Sequence, residues 1–336
     1  MISFSSHGQS ISVNPGTVWT SPSAEDTYRD RPAGELWEIV KAVQAGQPWL
    51  EEVSSRYAKT NPWLHQIASS PKRDLFFRQH PPKSDALVLD IGSGLGQIAR
   101  PLARTAGAEV VALEPTPERL AFIQATAQQE GVADRMYFLQ ADFFDLEFAQ
   151  RFDLITCVGV LEWVPKFRSG NPRDVQLEFL RRARNLLAPG GQLVVGIENR
   201  LGLKYLLGAP DDHIGTANIA VYDAALATEK WLKQSDQLLR SFTFSRIELA
   251  KLLTAAGFGR ADFFAALPDY KLPELILPLD KSVDDHFITD NFIPEHDGVT
   301  GQRLAFQAEL RSHYRSFAQL GIAENFVPSF FVAASA

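Results

Sequence analysis

The chain has 336 residues, 45% of them apolar, which is enough to bury one large core or two modest ones. Its formal charge of −7, from 40 acidic and 33 basic residues with no long basic run, argues against nucleic acid as a partner, because phosphate-backbone binding needs a basic footprint. A single cysteine, Cys157, excludes an intramolecular disulfide and a cysteine-only zinc cage, and the N-terminal sequence carries no basic region followed by an apolar stretch. No apolar run approaches the ~20 residues that span a bilayer, so a cytoplasmic protein without a membrane segment is expected.

Residues 1–83 show no alternation of strand and helix patterns. A polar start gives way to helical periodicity over 34–45 and 48–58, then to Pro62, Pro71, Pro81 and Pro82, which punctuate short helices. A helical N-terminal cap or lid is expected there, ahead of a main domain over 84–336.

From Ala86 the rhythm changes. Short β-rich runs alternate with helical stretches: a strand Leu87–Ile91 with a helix over 97–106, then a strand Glu109–Leu113 with a helix opening at Thr116 and Pro117. A strand Met136–Gln140 follows, and the continuous run Phe152–Val158 suits a strand buried on both faces. A helix over 174–187 ends at Pro189, Gly190 and Gly191, which turn the chain into a strand Gln192–Ile197. An irregular insertion over 199–243 precedes the amphipathic helix 245–256 and a strand Ala261–Leu267. A second insertion, 271–325, precedes a closing strand Phe330–Ala334. The pattern predicts an α/β fold, a doubly wound Rossmann-like sheet of seven strands, mostly parallel with the last antiparallel.

The stretch Val88-Leu-Asp90-Ile-Gly92-Ser-Gly94-Leu-Gly96 sets three glycines between an apolar strand and a helix, where backbone can turn tightly and approach a ligand. A dinucleotide-binding strand also ends this way. Here, however, Gln97 stands where the third glycine of that pattern belongs. Asp90 lies two residues before the first glycine, where negative charge suits a cationic ligand better than a pyrophosphate. Glu114 ends the second strand and can accept hydrogen bonds from ribose hydroxyls, and Asp142 ends the third. Taken singly, either acid reads equally well as a solvated strand-end carboxylate.

Over residues 86–200 this combination resembles the class I S-adenosylmethionine-dependent methyltransferases, and more loosely so over 244–270 and the last strand. The resemblance implies S-adenosylmethionine as cofactor, with S-adenosylhomocysteine as product. It further implies that Gly92, Gly94 and Gly96 lie against the amino-acid end, supported by Asp90, and that Glu114, followed by Pro115, binds both ribose hydroxyls. Asp142 and Phe143 would then face the adenine, while Cys157 and Val158 open the stretch beneath the methionyl portion.

With the methyl group already activated on sulfur, the chain has to place a nucleophile in line and, for a hydroxyl, remove a proton. Groups for this belong at the carboxyl ends of the fourth and fifth strands. Glu162 and Trp163 qualify, the acid as a catalytic or amine-binding group or simply a helix-start residue, the indole as an acceptor wall. So does the polar run after the fifth strand, with Glu198 and Asn199 as catalytic candidates and Arg200, Lys204 and Tyr205 as acceptor contacts. His213 is the leading general base, with Asp211 or Asp212 to orient it, although it can equally cap a turn.

The triplets Asp211-Asp-His213, Asp284-Asp-His286 and Glu295-His-Asp297 offer metal-ligand chemistry, but adjacent residues seldom ligate one ion, and no metal ligand is assigned. The expected reaction is O-methylation of a sugar or small natural-product hydroxyl, with N- or C-methylation or a non-catalytic S-adenosylmethionine-binding scaffold as rivals. Small-molecule or glycan acceptors are the expected partners, and self-association into a homo-oligomer stays open. The tryptophans and tyrosines outside the core strands, Trp19, Trp37, Trp49, Trp63, Tyr205, Tyr222 and Trp231, are expected either to wall the acceptor pocket or to pack the cap.

Overall fold

The computed structural model describes residues 1–22, 34–289 and 307–336. The chain forms two compact units, Met1–Cys157 with Asn185–Leu193, and Val158–Arg184 with Val194–Ala336. No helix among the described residues is long and apolar enough to cross a membrane.

The first unit opens with strands where a helical cap was expected. In β1 (Ile2–Ser6) and β2 (Gln9–Val13), apolar residues alternate with serine, and this period of two buries Ile2 and Phe4. The serines make the segment look merely polar in sequence. His7 and Gly8 both take positive φ, 49° and 77°, which closes a two-residue hairpin with Ser6 opposite Gln9. A third strand, β3 (Val18–Thr20), precedes the expected helices α1 (Glu35–Gln44), α2 (Trp49–Tyr57), α3 (Pro62–Ser69) and α4 (Leu75–Gln79).

Then come β4 (Leu87–Ile91), α5 (Ala99–Thr105), β5 (Glu109–Leu113), α6 (Pro117–Gln129), β6 (Met136–Gln140), β7 (Glu147–Phe148) and β8 (Phe152–Val158), whose last residue opens the second unit. Within the first unit β8, β4, β5, β6 and β3 pair side by side in parallel, while β1 pairs antiparallel with β7. Val88, Leu89, Val110, Val111 and Ala112 are almost wholly buried, as a sheet covered on both faces requires. Helices α1 to α3 bury Leu36, Ile39, Val40, Val53 and Tyr57 against Leu95 and against Phe122 and Ala125 of α6.

The second unit takes up most of α7 (Pro172–Asn185) and the carboxyl half of β9 (Leu187–Glu198). Pro189, Gly190 and Gly191, expected as a turn, instead belong to the first half of that strand. There follow α8 (Leu203–Leu206), α9 (Ala224–Ser235), α10 (Arg246–Ala255), β10 (Arg260–Leu267), β11 (Leu275–Pro278), α11 (Lys281–Thr289), α12 (Gln307–Gln319) and β12 (Ser329–Ser335). Helix α10 starts with a capping box: Ser245 accepts from the Glu248 amide and Glu248 accepts from that of Ser245. The closing strand β12 runs antiparallel to β10, as expected, and β11 pairs antiparallel with the other edge of β10.

All seven expected strands form. Besides these seven, β3 pairs with β6 and β11 with β10, both from segments too short to stand out by periodicity, and β1, β2 and β7 pair separately.

Most of the aromatic residues outside the core strands pack rather than wall a pocket. Trp19 meets Phe4 edge-on at 4.9 Å, Trp49 sits under Arg100 and against Phe122, and Tyr222 and Trp231 join a cluster with Ile219, Ala227, Leu239 and Phe242.

Candidate functional site

Two groups of polar residues occupy strand ends, one in each unit. In the first, β4 delivers Asp90 and then the glycine loop. Gly92, Gly94 and Gly96 take φ of 68°, 60° and 78°, a left-handed conformation that side chains seldom adopt. The amides of Gly92 and Ser93 both donate to the Leu113 carbonyl, at 2.8 and 3.1 Å, which folds the loop back onto β5. A Cβ on Gly96 would lie 3.0 Å from Ile123 and 3.1 Å from Arg100, so this glycine serves close packing. A Cβ on Gly94 would meet only the Gly92 carbonyl at 3.9 Å, so that position has space for a ligand.

Glu114 follows β5 directly and is 2% exposed. One of its carboxylate oxygens accepts the Gly94 amide at 2.8 Å, the other the Thr116 amide at 3.1 Å. A carboxylate offers about four lone-pair directions, so both oxygens retain capacity to accept hydroxyl donors. Asp90 is buried, with one oxygen accepting the Thr156 hydroxyl and the other, Oδ2, free of any hydrogen bond. Burial pushes its carboxyl up to about 6, against the pull of the Thr156 and Ser93 hydrogen bonds. An orphaned carboxylate oxygen beside an open glycine loop fits a ligand that carries an ammonium group.

Asp142 accepts the Phe144 amide at 2.8 Å and so caps a short turn, and Phe143 beside it is buried. Pro115 is half-buried and Cys157 fully buried, while Val158 lies in the second unit.

In the second unit, Glu162 from the turn after β8 and Glu198 from the end of β9 are fully buried, 0% exposed. His213, from the insertion, places Nε2 3.6 Å from Glu162 Oε1 and 3.6 Å from Glu198 Oε2, and Nδ1 3.5 Å from Asp211 Oδ1. Neither oxygen of Glu162 has a hydrogen-bond partner, nor does Glu198 Oε2. Trp163 meets the His213 ring edge-on at 5.0 Å. Glu198 Oε1 pairs with Lys271, whose ammonium also lies 3.4 Å from Asp212 and 3.5 Å from Asp269.

Charges within this cluster shift one another. Burial disfavours charge on His213, but Glu198, Asp211 and Glu162 outweigh it and hold the imidazole well above its ordinary value. Burial likewise opposes the charge on Asp212, yet Lys271 and Lys204 hold its carboxyl well below the usual range. Lys271 stays charged despite burial because Asp269, Glu198 and Asp212 surround it.

Several expected site residues serve other ends. Asn199 donates to the carbonyls of Asn325 and Val327 and accepts the Leu201 amide, so all its polar atoms hold backbone and none is left for catalysis. Arg200 forks onto Glu248 and also donates to the carbonyls of Val221 and Tyr222, which makes it a strut of the α10 start rather than an acceptor contact. Lys204 and Tyr205 are buried and both donate to Asp212 Oδ2, at 2.8 and 3.0 Å. They support the cluster from behind.

Neither of the two acidic-histidine triplets within the described residues converges on itself. Asp211 closes a turn onto the amides of His213 and Ile214, and Asp212 goes to the lysines. Asp284 accepts the Ala323 amide from within helix α11, while residues 295–297 lie outside the described residues. The group of potential ligands found together among the described residues is Glu162, Glu198 and His213.

Sequence reasoning missed Asp269, Tyr270 and Lys271. The signal was available: a polar triplet with two opposite charges, Asp269 and Lys271, placed directly after β10 by Pro268, at a strand's carboxyl end.

Comparison with known proteins gives a methyltransferase-domain family matching residues 89–195. The chain is 37% identical to a ubiquinone biosynthesis O-methyltransferase of Azorhizobium caulinodans over 34% of its own length and 40% of that relative's. It is 28% identical to the same-named protein of Methylocella silvestris over 56% of this chain and 72% of that one. The first match thus spans well under half of the relative's length. Among solved structures, the CcbJ methyltransferase from Streptomyces caelestis aligns with a TM-score of 0.46 at 18% identity, covering 79% of this chain and 90% of that one.

Proposed function

Because residues 89–195 carry a class I S-adenosylmethionine-dependent methyltransferase domain, we propose that the chain methylates a hydroxyl of a small molecule. When bound, S-adenosylmethionine supplies a methyl group already activated on a sulfonium. Asp90 and the 92–96 loop would hold its amino-acid end, Glu114 its ribose, and Asp142 with Phe143 its adenine.

The observation that carries the choice of a hydroxyl acceptor is Glu162, a fully buried carboxylate whose two oxygens accept nothing. A hydroxyl, unlike a neutral amine, gains from a base that takes its proton as the methyl bond forms. Glu162 is that base in this reading. His213 was the expected base, but its neighbours keep it protonated, and an imidazolium has no lone pair to offer. It steadies the charge on Glu162 and Glu198 instead, and Trp163 supplies an apolar wall beside it. The names of the relatives, O-methyltransferases of ubiquinone biosynthesis, agree with a hydroxyl acceptor.

The test is methyl transfer from labelled S-adenosylmethionine to a panel of phenols, sugars and amines. Glu162→Gln should lower turnover of a hydroxyl acceptor by about 10²-fold or more, the lower end of general-base contributions, and leave cofactor affinity in place. Equal turnover by Glu162→Gln, or transfer to amines alone, would overturn the reading.

A further inference from the structure

We propose that Glu162, Glu198 and His213 form a binding site for a divalent cation of the zinc or manganese class. The site uses side chains that the proposed reaction also uses. To ligate through Nε2, His213 releases the proton that its carboxylate neighbours otherwise hold there, while Glu162 ligates through Oε1 and keeps Oε2 for an acceptor proton. The test reads metal binding without cofactor or acceptor, so its outcome is separate from that of turnover.

Three independent features of the cluster support it. The first is distance. A charge-assisted hydrogen bond between imidazolium and carboxylate closes to about 2.7–2.9 Å, whereas Nε2 of His213 stands 3.6 Å from each glutamate oxygen. One nitrogen carries at most one proton and cannot bond both. With ligand atoms about 2.1 Å from a shared ion, an edge of 3.6 Å subtends about 118°, close to a tetrahedral angle. All three ligand atoms lie within 4.8 Å of one another.

The second feature is the lack of any other partner for these oxygens. Both oxygens of Glu162 and Oε2 of Glu198 accept no hydrogen bond, although both side chains are fully buried. A buried carboxylate is costly unless something balances it. With these two, the cluster gathers five carboxyl groups, Glu162, Glu198, Asp211, Asp212 and Asp269, against Lys204, Lys271 and the imidazolium of His213. A dication corrects that excess.

The third feature is the orientation of the imidazole. Nδ1 of His213 lies 3.5 Å from Asp211, which itself is fixed by the amides of His213 and Ile214. A carboxylate behind the remote nitrogen is the usual support of a metal-ligating histidine, because it directs the Nε2 lone pair at the ion. Two oxygens and one nitrogen favour zinc or manganese over calcium or magnesium, which prefer all-oxygen sites. Three protein ligands in a four-coordinate shell leave one position for water or a substrate oxygen.

The experiment uses the full chain, stripped with a chelator and titrated calorimetrically with Zn²⁺, Mn²⁺ and Mg²⁺ in the absence of cofactor and acceptor. One equivalent of Zn²⁺ or Mn²⁺ should bind at least tenfold more tightly than Mg²⁺. Glu162→Gln and His213→Asn should each weaken that binding at least tenfold, while His313→Asn, at a half-buried histidine of α12, should not. Co²⁺ added to the wild-type chain should give the visible absorption of a four- or five-coordinate ion, and Glu162→Gln should abolish it. Should His213→Asn fail to fold, the near-isosteric Glu162→Gln decides. Absence of stoichiometric binding, or binding that Glu162→Gln leaves unchanged, overturns the proposal.

Discussion

The glycine loop of the first unit and the acidic cluster of the second both hold buried carboxylates, and they stabilise them by different means. Glu114 is held by backbone: the amides of Gly94 and Thr116 bind its two oxygens, and those amides are fixed by the strand-loop-helix path itself. Asp212 and Glu198 of the second unit are held by side chains, with Lys204, Lys271, Tyr205 and His213 drawn from three separate stretches of chain. Backbone donors stay in place when one side chain is changed. A network of buried charges does not, because each member is the counter-charge of another. Substitutions in the first unit should therefore read out in ligand binding, and those in the second in stability.

The largest effect is expected at Asp212, which joins Lys204, Lys271 and Tyr205. Asp212→Ala strands the buried ammonium of Lys204 and takes away one of the three carboxylates around Lys271, and removal of one partner from a buried ion pair costs about 3–5 kcal/mol. Urea unfolding should show a loss of that size, and Asp212→Asn a smaller one, since the amide oxygen still accepts. The same residue sets a pH dependence. Its carboxyl lies well below its ordinary value in the folded chain, so its stabilisation is complete above the ordinary carboxylate range and lost as pH falls through the lower, folded-state value. An acid-unfolding curve identical for wild type and Asp212→Ala would break the comparison.

Glu114→Ala comes next. Two charge-assisted hydrogen bonds to ribose, at about 1.5–3 kcal/mol each, correspond to a hundredfold or greater loss of S-adenosylmethionine affinity. Calorimetry on the folded variant is the measurement, and unchanged affinity would show that the carboxylate does no more than brace the loop.

The same contrast explains what could be read from the sequence. Asp90, the three glycines and Glu114 fall within 25 residues and follow the strand-helix rhythm, so their order along the chain already implied their meeting. Glu162, Glu198 and His213 were each identified as polar residues after strands, but their convergence, and the arrival of Lys271 from beyond β10, depend on long-range packing that local periodicity does not encode. Asn199 and Arg200 show the converse error. Their residue types suit catalysis and anion binding, yet the carbonyls of Val327 and Val221 and the carboxylate of Glu248 needed donors, and these side chains were nearest. In the first 20 residues the strand signal was present as a strict alternation, but serine at every second position of β1 masked it.

The smallest effect sharpens the role of Asp90. Its carboxyl titrates at about 6 in the folded chain because it is buried, against an ordinary value of 3.8. A folded-state value above the unfolded one means that the folded chain binds the extra proton. Asp90 therefore lowers stability as pH rises from 3.8 through 6, the reverse of Asp212. Ligand binding should run the other way. The charged carboxylate attracts a ligand ammonium, which itself stays protonated below pH 7 because α-amino groups titrate near 8. Between pH 5 and 7 the ionised fraction of Asp90 rises about tenfold for a group titrating at 6, so S-adenosylmethionine affinity should climb by up to that factor and level off above neutrality. Asp90→Asn should bind more weakly at pH 7 and show no such climb. A wild-type affinity flat across this range, or an equal slope in Asp90→Asn, would separate Asp90 from the cofactor amine and leave its free oxygen without a role in binding.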